Sequence, residues 1–355
     1  MKRIRVASFA IGTLACASLL VACGGKSDNA DSADGSSTTK SPDKTTTTAT
    51  PPPAAVLTGL PLADASVQNR PLLTVKVDNH PEARPQFGID RADVIVEEKV
   101  EGGLSRFMAL FQSEDVDKVG PVRSLRSTDA KWLKPEGGMI AYSGGIQPFK
   151  NLLAPNGITD LGADNHGSTY YKRRSDRPFE HSLYTNTVVL RTLTPKNEEG
   201  PKPLFGFLQK GEAFGGDGVA PVASVSLSMG QGGQATYFDW TWNPDKGMFV
   251  RGTEGRAHEI EGQGQIAMKN VIVQFTSYSA TPWKDRANSS VDEANVVGNG
   301  DAWFLCDGKI VRGKWSRPSD GAVTTYTDVS GKEVKFAPGH TWISLVPPGQ
   351  PNEVR

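Results

Sequence analysis

The chain lacks most of the features that would make its chemistry plain. Among 355 residues there are 3 cysteines, Cys16, Cys23 and Cys306, which is too few for a disulfide framework. Charge of neither sign is in excess. With 39 Lys+Arg against 39 Asp+Glu there is no sign of the clustered basic face that nucleic acid requires, so no nucleic-acid partner is expected. HExxH, paired CxxC and His clusters at metal-ligand spacing are all missing, and no metal or other cofactor is expected. So are the GxSxG elbow of hydrolases and the P-loop. The glycine-rich GQGGQ at 230–234 follows a strand-like run and opens no helix, so it reads as a loop rather than a phosphate cradle. High Gly (38) and Pro (24) contents indicate many turns rather than long helices.

What is present starts at the N-terminus. Lys2, Arg3 and Arg5 precede an apolar run at 6–20, which is short for a bilayer span and fits a signal peptide. The next residues, Leu20-Val21-Ala22-Cys23, have the pattern of a bacterial lipobox, with Leu three positions before Cys and a small residue just before it. Residues 1–22 are therefore expected to be removed, with Cys23 taking a diacylglyceryl group and its freed amine a further acyl chain. At about 0.8 kcal/mol per buried CH₂, two or three chains anchor stably. This places the protein on the extracytoplasmic face of the cell membrane, with the membrane as a partner through the lipid. Residues 23–54 form a Thr/Ser/Pro-rich tether. From 24 to 53 the chain has no branched aliphatic or aromatic residue, so it cannot bury enough apolar area to offset chain entropy and is expected to be disordered. Once Cys23 is consumed, Cys306 is alone in the apolar run AWFLC, where it reads as a small buried hydrophobe.

The folded part reads as α+β. Residues 55–205 form a mixed α/β domain, with strands expected at 72–77, 92–97 and 105–111, a helix at 124–134 capped by Ser124, a strand at 138–142 and a short helix at 147–153. Residues 216–355 form an all-β domain, a sandwich or partly open barrel. There the apolar period is two, as in ATYFDWTW with Phe238, Trp240 and Trp242 on one face, and turns recur every eight to twelve residues. Asp307-Gly308 between AWFLC and KIVRG is the strongest hairpin signal, and Ser330-Gly331-Lys332 is another.

The densest stretch of chemistry is 70–126. Three apolar runs there end beside Asp78, Glu97, Glu101, Arg106, Arg123 and Arg126. With Asn79 and the more distant His181, these are the candidate ligand-binding residues. Guanidiniums at Arg106, Arg123 and Arg126 suit bidentate phosphate recognition. The carboxylates suit a base or a Mg²⁺ ligand. The plainer roles are cross-strand pairing of Arg106 with Glu97, and turn-shaping at Asp78-Asn79.

As a set, these residues resemble the YerB-like lipoproteins, a bacterial family named for a domain of unknown function. The matching segments are Thr58-Gly59-Leu60-Pro61, Val77-Asp78-Asn79, Arg84-Pro85-Gln86, Ala92-Asp93-Val94 with Glu97, Glu101-Gly102-Gly103, Ser105-Arg106-Phe107 and Gly120-Pro121-Val122-Arg123-Ser124-Leu125-Arg126. Arg174, Arg177, His181 and Tyr184-Thr185 match a weaker distal motif, in which Glu180 and Ser182 stand where the family tends to carry Pro and Asn. Trp315-Ser316-Arg317 and Gly331-Lys332-Glu333 with Gly339-His340-Thr341-Trp342-Ile343 extend the likeness to the second half. The resemblance implies a two-domain lipoprotein and no established reaction.

The expected function is that of a tethered, non-catalytic envelope factor that binds a cell-wall polymer, a lipid-linked precursor or an envelope enzyme. The alternative is an enzyme acting on a phosphorylated polymer or lipid carrier through the Arg/carboxylate residues. For that alternative, the order of elements is loosely similar to the LytR-CpsA-Psr phosphotransferases, without the Asp that follows their Pro-Arg.

Overall fold

The computed structural model describes residues 52–231, 235–285 and 288–355. The signal peptide, Cys23, nearly all of the 23–54 tether and most of GQGGQ lie outside the described residues. No helix among the described residues is long and apolar enough to cross a membrane.

Three strands set the frame: β1 (Leu73–Asp78), β2 (Val94–Lys99) and β3 (Ser105–Phe111). Their alternation sorts side chains onto two faces. Leu73, Val75, Val77, Ile95, Phe107 and Phe111 face one core, and Val94, Val96, Met108 and Leu110 the other. Every residue of β1 is buried, including Lys76 and Asp78. Next come α1 (Ser127–Leu133), β4 (Met139–Ala141) and β5 (Thr159–Asp160). The C-terminal half supplies β6 (Ser224–Ser228), β7 (Tyr237–Asn243), β8 (Met248–Thr253), β9 (Asn270–Phe275) and β10 (Gly298–Cys306). It ends with β11 (Lys309–Arg317), β12 (Thr325–Asp328) and β13 (Thr341–Val346).

The N-terminal domain is a mixed α/β layer and the C-terminal domain is mostly antiparallel sheet. They are joined edge to edge. The main sheet runs β12-β11-β10-β9-β13-β2-β3-β1-β4-β5. Strand β13 lies parallel to both β2 and β9, so it forms the seam between the two halves. A second sheet, centred on β6, β7 and β8, packs on one face through Trp240 and Phe249 against Phe107, Val271 and Trp342. The other face is covered by Trp132 and Leu133 of α1 and by Phe205 and Phe336. Each such large apolar side chain contributes about 1.5–3 kcal/mol on full burial. The Asp307-Gly308 hairpin joins β10 to β11. Both residues take positive φ (50° and 68°), as a type I′ turn requires.

The helix expected from Ser124 starts three residues later. Residues 121–125 stay extended because they pair with neighbouring backbone: Arg123 N–H donates to Lys76 O at 2.8 Å and Leu125 N–H to Gly144 O at 3.0 Å. Arg126, not Ser124, takes the N-cap position, and its N–H donates to Asp129 Oδ2 at 2.7 Å.

Candidate functional site

Strand register decides which charges meet. Arg106 lies opposite Asp78 on β1 and opposite Glu98 on β2, whereas Glu97 lies opposite Phe107. Opposed residues share a face, so Arg106 and Glu97 point to opposite sides of the sheet. The Arg106–Glu97 pairing that adjacency suggested does not form.

On the Arg106 face, the chain beyond β1 builds a cleft. The 119–123 segment lies against the end of β1, with Val122 bridged to Val77. Residues 183–185 lie against 119–122 in turn, with Val122 N–H donating to Leu183 O at 2.6 Å. These pairings bring Arg123 and His181 onto Asp78. Arg123 Nε sits 3.2 Å and His181 Nδ1 2.8 Å from Asp78 Oδ2. Burial alone would raise the Asp78 carboxyl. The hydrogen bond from His181 and the charges of Arg106 and Arg123 outweigh it and hold the group down at about 2.

A cavity of about 350 Å³ opens beside this cluster, lined by Arg106, Arg123, Arg126 and Arg173 together with Ser124, the 143–146 loop, Phe149, Phe179, Glu180 and Asp285. Its guanidiniums are not equally committed. Arg126 grips Glu101 with two hydrogen bonds, Nε to Oε1 at 2.7 Å and Nη2 to Oε2. Glu101 can turn back toward it because Gly102 and Gly103 adopt positive φ (69° and 76°). Arg123 is shared between Asp78 and Glu180. Arg173 donates to Phe179 O at 2.6 Å and lies over the Phe179 ring. Arg106 forms no ion pair among the described residues, and its bond to Ser124 O is long, at 3.4 Å. Burial and then the neighbouring Arg126 push its guanidinium down to about 10, which leaves it charged at neutral pH. A second depression, of about 610 Å³, shares Ser143 and Arg173 with this cavity and extends it past Lys172.

Asp78, Glu101, Arg106, Arg123, Arg126 and His181 therefore come together. Asn79 and Glu97 do not join them. Asn79 is buried, donating to Ser105 Oγ at 2.8 Å and accepting from Arg84 Nε at 3.0 Å and Gln86 Nε2 at 3.1 Å. Glu97 is enclosed between the sheets, where it accepts from Arg251, Ser105, Trp342 and Ser344.

Four polar side chains lie outside the candidate set: Arg173, Lys76, His80 and Glu82. Arg173 reaches the cavity because its strand pairs with residues 183–185, which lie against 119–122. Lys76 is fully buried between Glu98 and Asp129, with Nζ 2.5 Å from Asp129 Oδ1. Its position in the apolar LLTVKV run, flanked by valines, was the available signal. His80 directly follows the Asp78-Asn79 turn, and Glu82 lies two residues beyond it. The fold stacks His80 on His181 with ring centroids 4.7 Å apart, and His80, Glu82 and His181 form a group able to hold a metal ion.

This arrangement defines a two-domain α+β protein with an arginine-lined cleft in its first domain. Models of the family described as "Protein of unknown function (DUF3048)" match residues 57–200 with the N-terminal domain and 227–343 with the C-terminal domain, and the chain belongs to that family. A Bacillus subtilis (strain 168) protein named as a lipoprotein, YerB, is 26% identical over 300 residues, covering 82% of this chain and 86% of its own. The crystal structure of YerB from Bacillus subtilis superposes with a TM-score of 0.72 at 23% identity, over 85% of this chain and 99% of that one, and shares the fold.

Proposed function

We propose that this protein is a lipid-anchored envelope factor that binds, without transforming, a phosphate-bearing envelope polymer or lipid-linked precursor in the arginine cleft. The observation that carries the reading is Arg106, a charged guanidinium with no ion-pair contact among the described residues, on the wall of a cavity whose lining also includes Arg123, Arg126 and Arg173. Charge-assisted, bidentate bonding to a phosphate would satisfy it. The adjoining depression lengthens the groove, which suits an extended ligand better than a single small anion. Asp78, held near 2, is a weak base, and Glu101 is occupied by Arg126. Both features support binding over catalysis. The lipobox at Cys23 and the lipoprotein name of the Bacillus relative support the membrane tether.

The test is calorimetric titration of the purified protein with a glycerol phosphate polymer and, separately, with inorganic pyrophosphate. Saturable binding that weakens at least tenfold in R106A and falls with added salt is expected. Equal affinity in wild type and R106A, or no saturable binding to either probe, would reject the cleft as the site. Phosphate release during the titration would favour the enzyme reading instead.

A further inference from the structure

We propose that His80, Glu82 and His181 form a divalent transition-metal site, of the open kind that zinc occupies, with Asp78 as its orienting carboxylate. The argument is independent of the arginine cleft. His181 Nδ1 lies 2.8 Å from Asp78 Oδ2, and since a carboxylate only accepts, Nδ1 donates and Nε2 is the nitrogen left to take an ion. Nε2 points at Glu82 Oε2, 3.5 Å away. His80 Nδ1 lies 3.8 Å from the same oxygen. Two ligands each about 2.0–2.1 Å from a tetrahedral zinc are separated by roughly 3.3 Å, and the three ligand atoms here lie within 4.8 Å of one another, so the site must contract to bind. A cation between His181 Nε2 and Glu82 Oε2 would be held by both groups at once.

The supporting shell is also in place. A carboxylate on the far nitrogen of a ligating histidine fixes its tautomer and raises its basicity. Asp78 is itself held by the His80 N–H, which donates to Oδ1 at 3.1 Å, and by Arg123. His181 is buried, while the side chains of His80 and Glu82 are 37% and 61% exposed. An ion can therefore enter from solvent; His80 Nδ1 now accepts from the Glu82 N–H at 3.3 Å while its ring stacks at 8° on His181, so binding would exchange that cap for the ion. Two imidazoles and one carboxylate favour zinc and its first-row neighbours over calcium or magnesium. Three protein ligands leave a position open to solvent. Asp78 separates the ion from Arg123, which also lines the cleft.

The experiment is a zinc titration of the full-length protein in detergent after chelator treatment, against a chromophoric competitor, with melting temperature followed in parallel. One ion per chain is expected, with a rise in melting temperature. E82Q, at an exposed position, and H80A, which also removes the cap on the Glu82 N–H, should each weaken binding at least tenfold, with circular dichroism confirming that both remain folded. D78N, acting through His181, should weaken it roughly 10–100-fold. X-ray absorption of the loaded protein should show two imidazole nitrogens. Wild-type affinity retained in both E82Q and H80A, or no stoichiometric zinc uptake, would overturn the assignment.

Discussion

Arg251 and Glu97 form an ion pair with both side chains fully enclosed, Nη2 lying 2.8 Å from Oε1. Glu97 comes from β2 and Arg251 from β8 of the second sheet. The remaining carboxylate oxygen accepts from Trp342 Nε1 and Ser344 Oγ of β13, each at 3.1 Å. The guanidinium also lies over Phe238 (4.2 Å) and Trp342 (4.6 Å). One pair thus ties the N-terminal strands, the seam strand and the covering sheet together.

E97Q should therefore act on stability. Removing one partner of a buried pair leaves the other charge uncompensated, at a cost of about 3–5 kcal/mol. Urea unfolding should show this loss, while binding in the arginine cleft, on the opposite sheet face, stays at wild-type affinity wherever the protein remains folded. A parallel loss of ligand affinity in folded E97Q would place Glu97 in the site after all.

Lys76 gives a second stability prediction. Its ammonium is the shared counterion of Glu98 and Asp129. K76M leaves two buried carboxylates facing each other and should cost a similar amount, about 3–5 kcal/mol. Lower pH should rescue it in part, since protonating one carboxylate removes the repulsion. Burial, with Asp129 adding to it, already raises Glu98 above the usual carboxylate range. A K76M variant as stable as wild type at pH 8 would show that the triad adds nothing.

Acid should unfold the protein in part through Asp78. Its folded pKa of about 2 lies below the ordinary 3.8, so the unfolded chain takes up the proton first. The stabilisation is complete above pH 3.8 and disappears as pH falls toward 2. The shift corresponds to roughly 2 kcal/mol. D78N, starting from a lower stability, should have a flatter acid limb in a pH series of urea midpoints. Between pH 4.5 and 7 three other groups act. Glu98 and Glu136, both raised to about 7 by burial, favour the folded state as pH falls. His258, which burial and then Arg251 hold well below 6.5, favours the unfolded state. With two raised carboxylates against one depressed imidazole, midpoints in that window should rise as pH falls.

Anchoring has its own test. In cells, C23A should move the protein from the membrane fraction to the soluble extracytoplasmic fraction, since no other acylated residue is proposed. Persistence of C23A in the membrane fraction would disprove the lipid anchor.

The sequence by itself determined the strands and turns, and it alone carries the proposed tether. The apolar period of two placed β1, β2 and β3, and Asp307-Gly308 placed the β10–β11 turn, because strand alternation and positive-φ turns are local requirements. The lipobox is local too. Only tertiary structure decided what the charged residues do. Glu97 and Glu98 are adjacent, yet alternation sends one to Arg251 and the other to Lys76, and the two partners are distant in sequence from each other. A charge at a strand end reads the same whether it meets solvent, a ligand or a buried counterion. Among the described residues Arg106 was left without an ion-pair contact, and His181 was set against His80 and Glu82, by pairings between β1 and residues some forty to a hundred positions further along the chain. Such contacts depend on sheet register and on which loop crosses which edge, and neither is encoded in any short stretch of the chain.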